Sequence, residues 1–374
     1  MGAHGYDGAK TCPRCATVGT VNAPFRSAKL TTRLSDPGDT LAIERFLSGH
    51  PEATVFHRSD WLAAIEASTG HRTHWLLAER DGHIRAALPL TEAHSPLFGR
   101  ALVSTGFAVG GGLLEATPGD GAGLFEAAEE LAVRRACSTI ELRGGALPQG
   151  GGWHHKHDSH AGFVRALAEN DEAELLAIPR KQRAEVRRGL GNDLTVTTGR
   201  SAADRAAHYA IYAESVRNLG TPVFPRALFD AVLDHLGADA DILTVSRDGQ
   251  PLASVLSLYH RGTVLPYWGG GLFAARTWRA NDVMYYALMC HARQRGCTRF
   301  DFGRSKVGTG PYHFKRNWGF TPEPLHYASW TVAGVPPRDV NPLSPRYRAK
   351  ITAWQKLPLA IANRLGPLIA GGLA

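Results

Sequence analysis

Alternating hydrophobic and polar positions predict two β-hairpins in separate halves of the chain. Residues 75–90 place apolar runs on both sides of Asp81-Gly82, and residues 242–258 repeat this arrangement around Asp248-Gly249. An Asp-Gly pair between two apolar runs is a strong signal for a two-residue hairpin turn. Two hairpins of one design indicate an internal repeat.

The segments after each hairpin extend the repeat. Each hairpin is followed by another apolar stretch, by a glycine run at 110–112 or 269–271, by a helical segment and by a short strand within 134–144 or 293–303. The order strand, strand, strand, glycine turn, helix, strand therefore occurs twice. This order predicts a duplicated α+β domain and disfavours a doubly wound nucleotide-binding fold.

The helix of the second copy has clear end signals. It is expected to begin at Asn281 or Asp282, which are both good N-caps, and to end at Gly296. Helical spacing then places a core-facing set on one side. That set is Val283, Tyr286, Ala287 and Cys290.

Length and hydrophobic content agree with two domains. The chain has 374 residues, of which 44% are hydrophobic, and no run of about 18 apolar residues that could span a bilayer. The sequence predicts a disordered basic leader at 1–37, domains at 38–175 and 176–325, and a completing strand with a basic tail at 326–374. We expect a cytoplasmic protein, with the inner face of the membrane as an alternative location.

Cysteine and histidine usage predicts no metal site. The five cysteines are odd in number, which fits a reducing compartment better than a disulfide framework. Cys12 and Cys15 form half of a zinc-ribbon pattern that has no second pair at zinc spacing. The histidines within 154–160 lie in a glycine-flanked stretch, which we interpret as a solvated connection.

Positive charge indicates anionic partners. The formal net charge is +8, which favours a nucleotide, a nucleic acid, a phospholipid or a pyrophosphate-linked precursor. Arg180, Arg183 and Arg187 fall on one face of a predicted helix that also carries Lys181 and Arg188. This face could clamp the phosphates of a tRNA, a nucleotide-sugar or a lipid pyrophosphate, or it could be a solvated basic surface.

Three segments carry a more specific signal: 179–194, 301–320 with its Phe-Lys element, and 345–368. They resemble the FemAB-like branch of the GNAT acyltransferase superfamily, in the form associated with PEP-CTERM and exopolysaccharide systems, and the overall similarity covers about residues 40–374. The resemblance implies tandem GNAT domains with mixed, mostly antiparallel sheets flanked by helices. It also implies acyl or aminoacyl transfer to an amine or hydroxyl of a cell-envelope or exopolysaccharide precursor, such as a lipid-linked saccharide.

The donor implied by this resemblance is an aminoacyl-tRNA or an acyl-CoA, with no tightly bound cofactor. Coenzyme A-dependent acetyltransferases usually hold the pyrophosphate with a Gln/Arg-x-x-Gly-x-Gly/Ala turn, whereas this chain has Arg279 where glycine is expected. A bulky residue there hinders close backbone approach to a pyrophosphate. The alternatives are a CoA-dependent N-acetyltransferase and a non-catalytic binding module.

The resemblance and the residues together define a candidate catalytic pair, Lys315 and Asp301. Lys315 matches the family lysine, and an ammonium there could stabilise the oxyanion of acyl transfer. Asp301 alternates with Phe300 and Phe302 on a predicted strand, so it faces away from them. It could act as a general base, pair with Arg304 or cap the following loop.

The remaining candidates surround this pair. Arg304 and Lys306 extend a positive rim, and Tyr312 and Trp318 are expected either to wall a pocket or to pack the end of the sheet. The glycines of the loop allow backbone N–H groups to approach an anion. The full set of candidate binding residues is Arg304, Lys306, Gly308, Gly310, Tyr312, Phe314, Trp318, Tyr267, Arg180, Lys181, Arg183 and Arg187.

The C-terminal tail has the composition of an interfacial helix. Residues 343–374 contain no acidic residue, and five basic residues alternate with apolar ones. Pro358 is expected to divide the segment into two short helices. We expect the tail to bind an anionic leaflet, with Trp354 at the headgroup level, or to pack on the first domain.

Overall fold

The computed structural model describes residues 1–2, 29–95, 99–335 and 345–372. The strands are β1 (Thr31–Leu34), β2 (Arg72–Arg80), β3 (His83–Ser95), β4 (Gly99–Ser104), β5 (Leu114–Glu115), β6 (Thr139–Arg143), β7 (His154–Lys156), β8 (His160–Gly162), β9 (Val164–Ala166), β10 (Thr195–Gly199), β11 (Ala240–Arg247), β12 (Gln250–His260), β13 (Thr263–Gly271), β14 (Arg299–Asp301), β15 (Ser305–Lys306), β16 (Glu323–Pro324) and β17 (Tyr327–Thr331). The α-helices are α1 (Thr40–Gly49), α2 (Ser59–Thr69), α3 (Ala122–Arg134), α4 (Asp171–Ala177), α5 (Arg180–Leu190), α6 (Ala202–Asn218), α7 (Arg226–Leu236), α8 (Ala275–Trp278), α9 (Ala280–Gln294), α10 (Gly310–Asn317), α11 (Pro345–Gln355) and α12 (Leu359–Ala370). Among these helices, none is long and apolar enough to cross a membrane.

The two halves build equivalent mixed sheets. The first sheet has the order β1-β2-β3-β4-β6-β17-β7 with β5 beside β3, and the second has the order β10-β11-β12-β13-β14-β9. In each sheet the hairpin and the next strand are antiparallel, and one pair is parallel, β4 with β6 or β13 with β14. The parallel pairs follow from the crossover helices α3 and α9. The predicted duplicated α+β architecture is confirmed.

The repeat extends to details of the backbone. Asp81 and Asp248, at φ 53° and 48°, occupy the predicted hairpin turns. Each hairpin has a bulge shortly before its turn. After the crossover helices, the amide of Cys137 donates to Ala132 at 2.8 Å and that of Cys297 to Ala292 at 2.9 Å. The two cysteines are therefore equivalent.

The same correspondence between the domains places two carboxylates at equivalent positions. Glu141 lies four residues after Cys137, and Asp301 lies four residues after Cys297. Both side chains therefore occupy the same position on the parallel strand of their domain. The sequence segments 134–144 and 293–303, aligned end to end, differ from this structural match by one residue.

The halves also exchange strands. β9 follows the first sheet in sequence but pairs with β14, and β17 follows the second sheet but pairs with β6 and β7 of the first. β17 thus confirms the predicted completing strand. β15, β8 and β16 form a separate three-stranded sheet.

Two expectations about irregular segments need correction. β1, inside the predicted leader, pairs antiparallel with β2 from Thr31 to Leu34. The histidine stretch is largely exposed, as predicted for a solvated connection, but it is not irregular, because it forms β7 and β8. Its histidines gain strand pairing from distant residues, which no local pattern reveals. Cys12 and Cys15 lie outside the described residues.

A shared hydrophobic core joins the domains. Trp61 on α2 is fully buried, and its ring lies 5.6 Å from that of Tyr267 and 6.3 Å from that of Trp268 on β13. Phe229 on α7 packs against Trp268 at 4.7 Å between ring centroids. The same cluster includes Phe56 and Val103 of the first half. The junction between the domains is therefore tightly packed.

Candidate active site between the two domains

A cleft of about 470 Å³ opens between the domains. Its walls come from 51–56 and 109–110 of the first half and from β13, β14 and 323–325 of the second. The ionisable side chains lining it are Glu52, His260, Arg261, Arg299, Asp301, Arg304 and Glu323. A neighbouring cavity of about 500 Å³ shares Glu52, Thr54 and Gly110 and is lined by Arg143. Both domains thus contribute to one groove, in which four arginines lie among three carboxylates.

Asp301 faces the cleft as the strand alternation predicted. Phe300 and Phe302 are 0% and 4% exposed in the core of the second domain, whereas Asp301 lines the opposite side. Its Oδ1 accepts the amide of Gly303 at 2.8 Å. Burial raises the pKa of Asp301 above its ordinary value. In the described part of the chain, no ion pair involves Asp301, so its carboxylate can take up a proton.

Glu141, at the equivalent position of the first domain, has the opposite environment. Arg143 Nε donates to its Oε1 at 2.8 Å. Burial alone would raise the pKa of Glu141, but Arg143, Arg304 and Lys156 outweigh that effect and lower the pKa to about 2. Glu141 therefore remains ionised and paired. Of these two matched carboxylates, Asp301 is the one suited to proton transfer.

Lys315 lies behind the loop and does not line the cleft. Its Nζ donates to the carbonyl oxygens of Gly303 at 3.2 Å and Arg304 at 2.9 Å. It also lies over the rings of Phe163 and Phe302, at 5.4 and 5.6 Å from their centroids. Burial lowers the pKa of Lys315 to about 8, although Asp301 opposes this shift. Its ammonium, outside the lining of the cleft, therefore holds two loop carbonyls, whereas the sequence predicted that it would face an oxyanion.

Arg304 connects the two domains. Its Nη1 donates to the hydroxyl of Tyr327 at 3.1 Å, and that hydroxyl donates to the carbonyl of Val109 at 3.2 Å. Tyr327 belongs to β17 in the first sheet. The guanidinium that lines the cleft is therefore fixed by the partner domain. A guanidinium held in this way can form charge-assisted hydrogen bonds to a planar anionic ligand.

His57 is a site residue that the sequence did not reveal. The amide of Thr54 donates to its Nδ1 at 3.0 Å, so the proton lies on Nε2, which donates to the carbonyl of Gly112 at 2.9 Å. Burial lowers the pKa of His57 to about 4. The neutral ring thereby holds the first glycine run at the wall of the cleft. A single histidine without a motif gave no signal for this role.

Most of the predicted aromatic residues pack the second domain. Trp318 is fully buried, and Tyr312 and Phe314 pack against the same hydrophobic cluster. The hydroxyl of Tyr267 donates to the carbonyl of Phe107, so Tyr267 joins the domain junction. These residues support the site and do not wall it. Their spacing was compatible with either role.

The residues of the glycine loop after β14 do not all lie at the cleft. Gly303 lines the cleft, whereas Gly308 and Gly310 are exposed beyond it. Lys306 lies on β15 and pairs in register with His160 on β8. Burial, with Arg304 and Lys306 nearby, lowers the pKa of His160 to about 4. The glycine loop thus contributes only its first residues to the cleft.

The basic helix α5 does not share this cleft. Arg180, Lys181 and Arg187 are exposed, and Arg183 Nη1 donates to the carbonyl of Leu176 at 2.9 Å. None of these four side chains belongs to the lining shared by Asp301 and Arg304. Although the sequence grouped these α5 residues with Arg304 as candidate binding residues, α5 packs on α9 and lies outside the lining of the cleft.

Helix α5 covers the amino end of α9. Arg279 takes the left-handed conformation, φ 57° and ψ 30°, and its side chain bonds to Glu185 of α5 and to the carbonyl of Arg276. A Cβ on Gly189 would lie 2.6 Å from Val283, which shows how closely the helices approach. A helix amino end normally attracts anions. Here arginine and α5 occupy that position.

Comparison with known proteins identifies this architecture. Residues 178–316 match the family model described as an acetyltransferase (GNAT) domain. The structure of FemX matches with a TM-score of 0.60 and 15% identity, covering 79% of this chain and 96% of that one. A tandem GNAT protein from the clavulanic acid biosynthesis pathway matches with a TM-score of 0.53 and 14% identity, covering 83% and 100%. The fold is that of tandem GNAT proteins.

A protein of unknown function from Bacteroides thetaiotaomicron has the same architecture, with a TM-score of 0.54, 12% identity and coverage of 81% of this chain and 100% of that one. The search of curated proteins found no match. The matched domain runs from the residue before Pro179 to α10, so it contains Asp301 and the loop held by Lys315. The candidate site therefore lies in the part of the chain that matches an acyltransferase family.

Proposed function

We propose that this protein transfers an acyl or aminoacyl group to an amine or hydroxyl of an anionic acceptor bound in the inter-domain cleft. The observation that carries this proposal is the position of Asp301. It is a half-buried carboxylate with a raised pKa, and it lines a cleft beside Arg299 and Arg304 in the domain that matches the GNAT model. A base with a raised pKa, placed between cations, suits deprotonation of an anionic substrate.

The reaction needs no covalent enzyme intermediate. The acceptor nitrogen or oxygen attacks the donor carbonyl carbon and forms the new bond. Asp301 takes the proton released by the acceptor. The bond from the carbonyl carbon to the donor's leaving oxygen or sulfur then breaks, and Asp301 returns the proton to the leaving group. Rate acceleration comes mainly from holding donor and acceptor together.

For the donor we propose an aminoacyl ester of tRNA rather than an acyl-CoA. Arg279 and α5 occupy the amino end of α9, where a coenzyme A pyrophosphate would require close backbone approach. The exposed basic residues of α5 supply a surface for nucleic-acid phosphates. For the acceptor we propose a phosphate-bearing cell-envelope or exopolysaccharide precursor, because the cleft carries Arg261, Arg299 and Arg304.

The test measures product mass after incubation with a donor and an amine acceptor. The donors are acetyl-CoA and mixed aminoacyl-tRNA, and the acceptors are UDP-glucosamine and glucosamine, which differ in the diphosphate. We expect transfer from aminoacyl-tRNA, with the diphosphate acceptor preferred. Transfer from acetyl-CoA alone would favour the CoA-dependent alternative. No transfer from either donor would favour a binding module.

Two matched variants test the role of Asp301. Asp301→Asn should reduce kcat by about 10²-fold or more, as expected when a general base is lost. Glu323→Gln changes an exposed carboxylate of the same cleft and should leave kcat nearly unchanged. Circular dichroism checks that both variants fold. Equal activity of Asp301→Asn and the unmodified protein would refute the proposed base.

A further inference from the structure

Helix α12 packs on the protein through small residues and turns large apolar ones to solvent. Ala362, Gly366 and Ala370, spaced four residues apart, are buried, and a Cβ on Gly366 would lie 2.9 Å from the backbone nitrogen of Val223. The exposed set, called here the α12 face, is Ile361 at 46%, Leu365 at 41% and Leu368 at 72% exposure. An amphipathic helix that serves only the protein core buries its large apolar residues. This helix does the reverse.

The helix around this face is positively charged. Residues 343–374 contain no acid, and the exposed Lys356 and Arg364 lie just before α12 and at its middle. Pro358 separates α11 from α12, as predicted. Trp354 on α11 is half-buried, and its indole Nε1 is buried. The exposed apolar area therefore belongs to α12.

An arginine-rich cavity lies at the carboxyl end of α12. It measures about 480 Å³ and is lined by His71, Arg72, Glu92, His94, Arg100, Arg134 and Arg135. His71 lines the cavity, and its Nε2 lies 2.6 Å from the carbonyl oxygen of Gly371, just after α12. Glu92 pairs with Arg100 at 2.9 Å, and Arg134 pairs with Glu130 at 2.7 Å. Arg72 is exposed and enters no ion pair among the described residues.

We propose that the α12 face and this cavity together dock the protein on an anionic phospholipid bilayer. The leucines and isoleucine enter the boundary between headgroups and acyl chains, and the arginines contact headgroup phosphates. Exposed apolar residues beside uniform positive charge have the chemistry of interfacial helices. The attraction to an anionic leaflet adds to the apolar burial. This surface is separate from the cleft and does not depend on acyl transfer.

Vesicle cosedimentation of the full chain tests the proposal. The probes are vesicles of phosphatidylglycerol with phosphatidylcholine and vesicles of phosphatidylcholine alone. The double variant Leu365→Gln, Leu368→Gln should lower partitioning by about tenfold or more, because each leucine loses its burial in lipid. Arg72→Gln should lower it by about fivefold. All of these positions are exposed, so the variants should fold, which circular dichroism verifies.

Matched controls locate the effect. Leu41→Gln replaces a leucine that is 78% exposed on α1, and Lys181→Gln removes one charge from α5. Neither should change partitioning by more than about twofold if the α12 face and the cavity form the membrane surface. Equal binding to neutral vesicles, or a loss with Lys181→Gln that matches the loss with Arg72→Gln, would overturn the proposal. The proposal would also fail if light scattering showed that the unmodified protein is a dimer and the leucine double variant a monomer, since a second copy would then cover the α12 face.

Discussion

Two buried histidines should make the fold sensitive to mild acid. Burial lowers the pKa of His57 to about 4 and that of His208 to about 3, from an ordinary value of 6.5. In the neutral His57 ring, Nδ1 accepts the Thr54 amide, so protonation would turn two donors toward each other. His208 Nδ1 lies 3.0 Å from the hydroxyl of Ser254, and its Nε2 is buried without a partner. A second proton would face the Thr54 amide in His57, and on Nε2 of His208 it would be buried without an acceptor.

The direction and size of the change in unfolding free energy follow from the difference in proton binding between the folded and unfolded chain. Because both folded pKa values lie below 6.5, the unfolded chain binds protons first as the pH falls. Stability is therefore complete above about pH 6.5 and decreases toward pH 4. At about pH 5.5, one unit below the unfolded value, each histidine costs about 1.4 kcal/mol. Together they should lower the free energy of unfolding by about 3 kcal/mol between about pH 7.5 and pH 5.5.

Urea unfolding followed by circular dichroism at these two pH values measures the effect. His57→Gln and His208→Gln should each reduce the pH-dependent loss by about 1.4 kcal/mol, whatever they do to stability at neutral pH. His83→Gln, an exposed position at the start of β3, is the matched control and should leave the loss intact. Equal stability at both pH values, or the same loss in all three variants, would refute the reasoning.

Three further predictions concern the site. Lys315→Met should lower the free energy of unfolding by about 2–4 kcal/mol in urea unfolding, since two charge-assisted hydrogen bonds to the loop are lost. The measured kcat should fall as well, because the loop loses its support. Gly112→Ala should unfold the first domain well below the melting temperature of the unmodified protein, because its Cβ would lie 1.8 Å from the Gly144 oxygen. Calorimetry measures this melting temperature, and an unchanged value would contradict the prediction. Arg304→Gln should raise KM for the anionic acceptor about tenfold, whereas Tyr327→Phe, which keeps the guanidinium, should raise it far less; equal effects would mean that the inter-domain bond matters more than the charge.

The sequence by itself determined the duplicated architecture, because the signals for it are local. Hairpin turns depend on two adjacent residues, and strand faces depend on alternation, so Asp81, Asp248 and the orientation of Asp301 were all correctly predicted. The break at Pro358 has the same origin, since proline lacks the amide that a helix interior needs.

Tertiary structure decided everything that depends on a distant partner. β1, β7 and β9 have weak strand patterns and exist because other strands lie beside them. In α9 the predicted face was only partly correct, since Val283 is buried but the fully buried positions are Ala280, Met284, Leu288, Met289 and Ala292. The sheet lies on one side of that helix and α5 on another, so the buried face is wider than one stripe and differently centred.

The chemistry of the site shows the same division. A sequence can place a lysine after a strand, but the direction of its long side chain depends on what fills the space around it. Lys315 meets two loop carbonyls and two phenylalanine rings, which hold its ammonium behind the cleft. Asp301 and Glu141 occupy matched strand positions, and the cations contributed by both domains around Glu141 distinguish them. Charge environments are sums over neighbours in space, and the order of residues along the chain does not contain that sum.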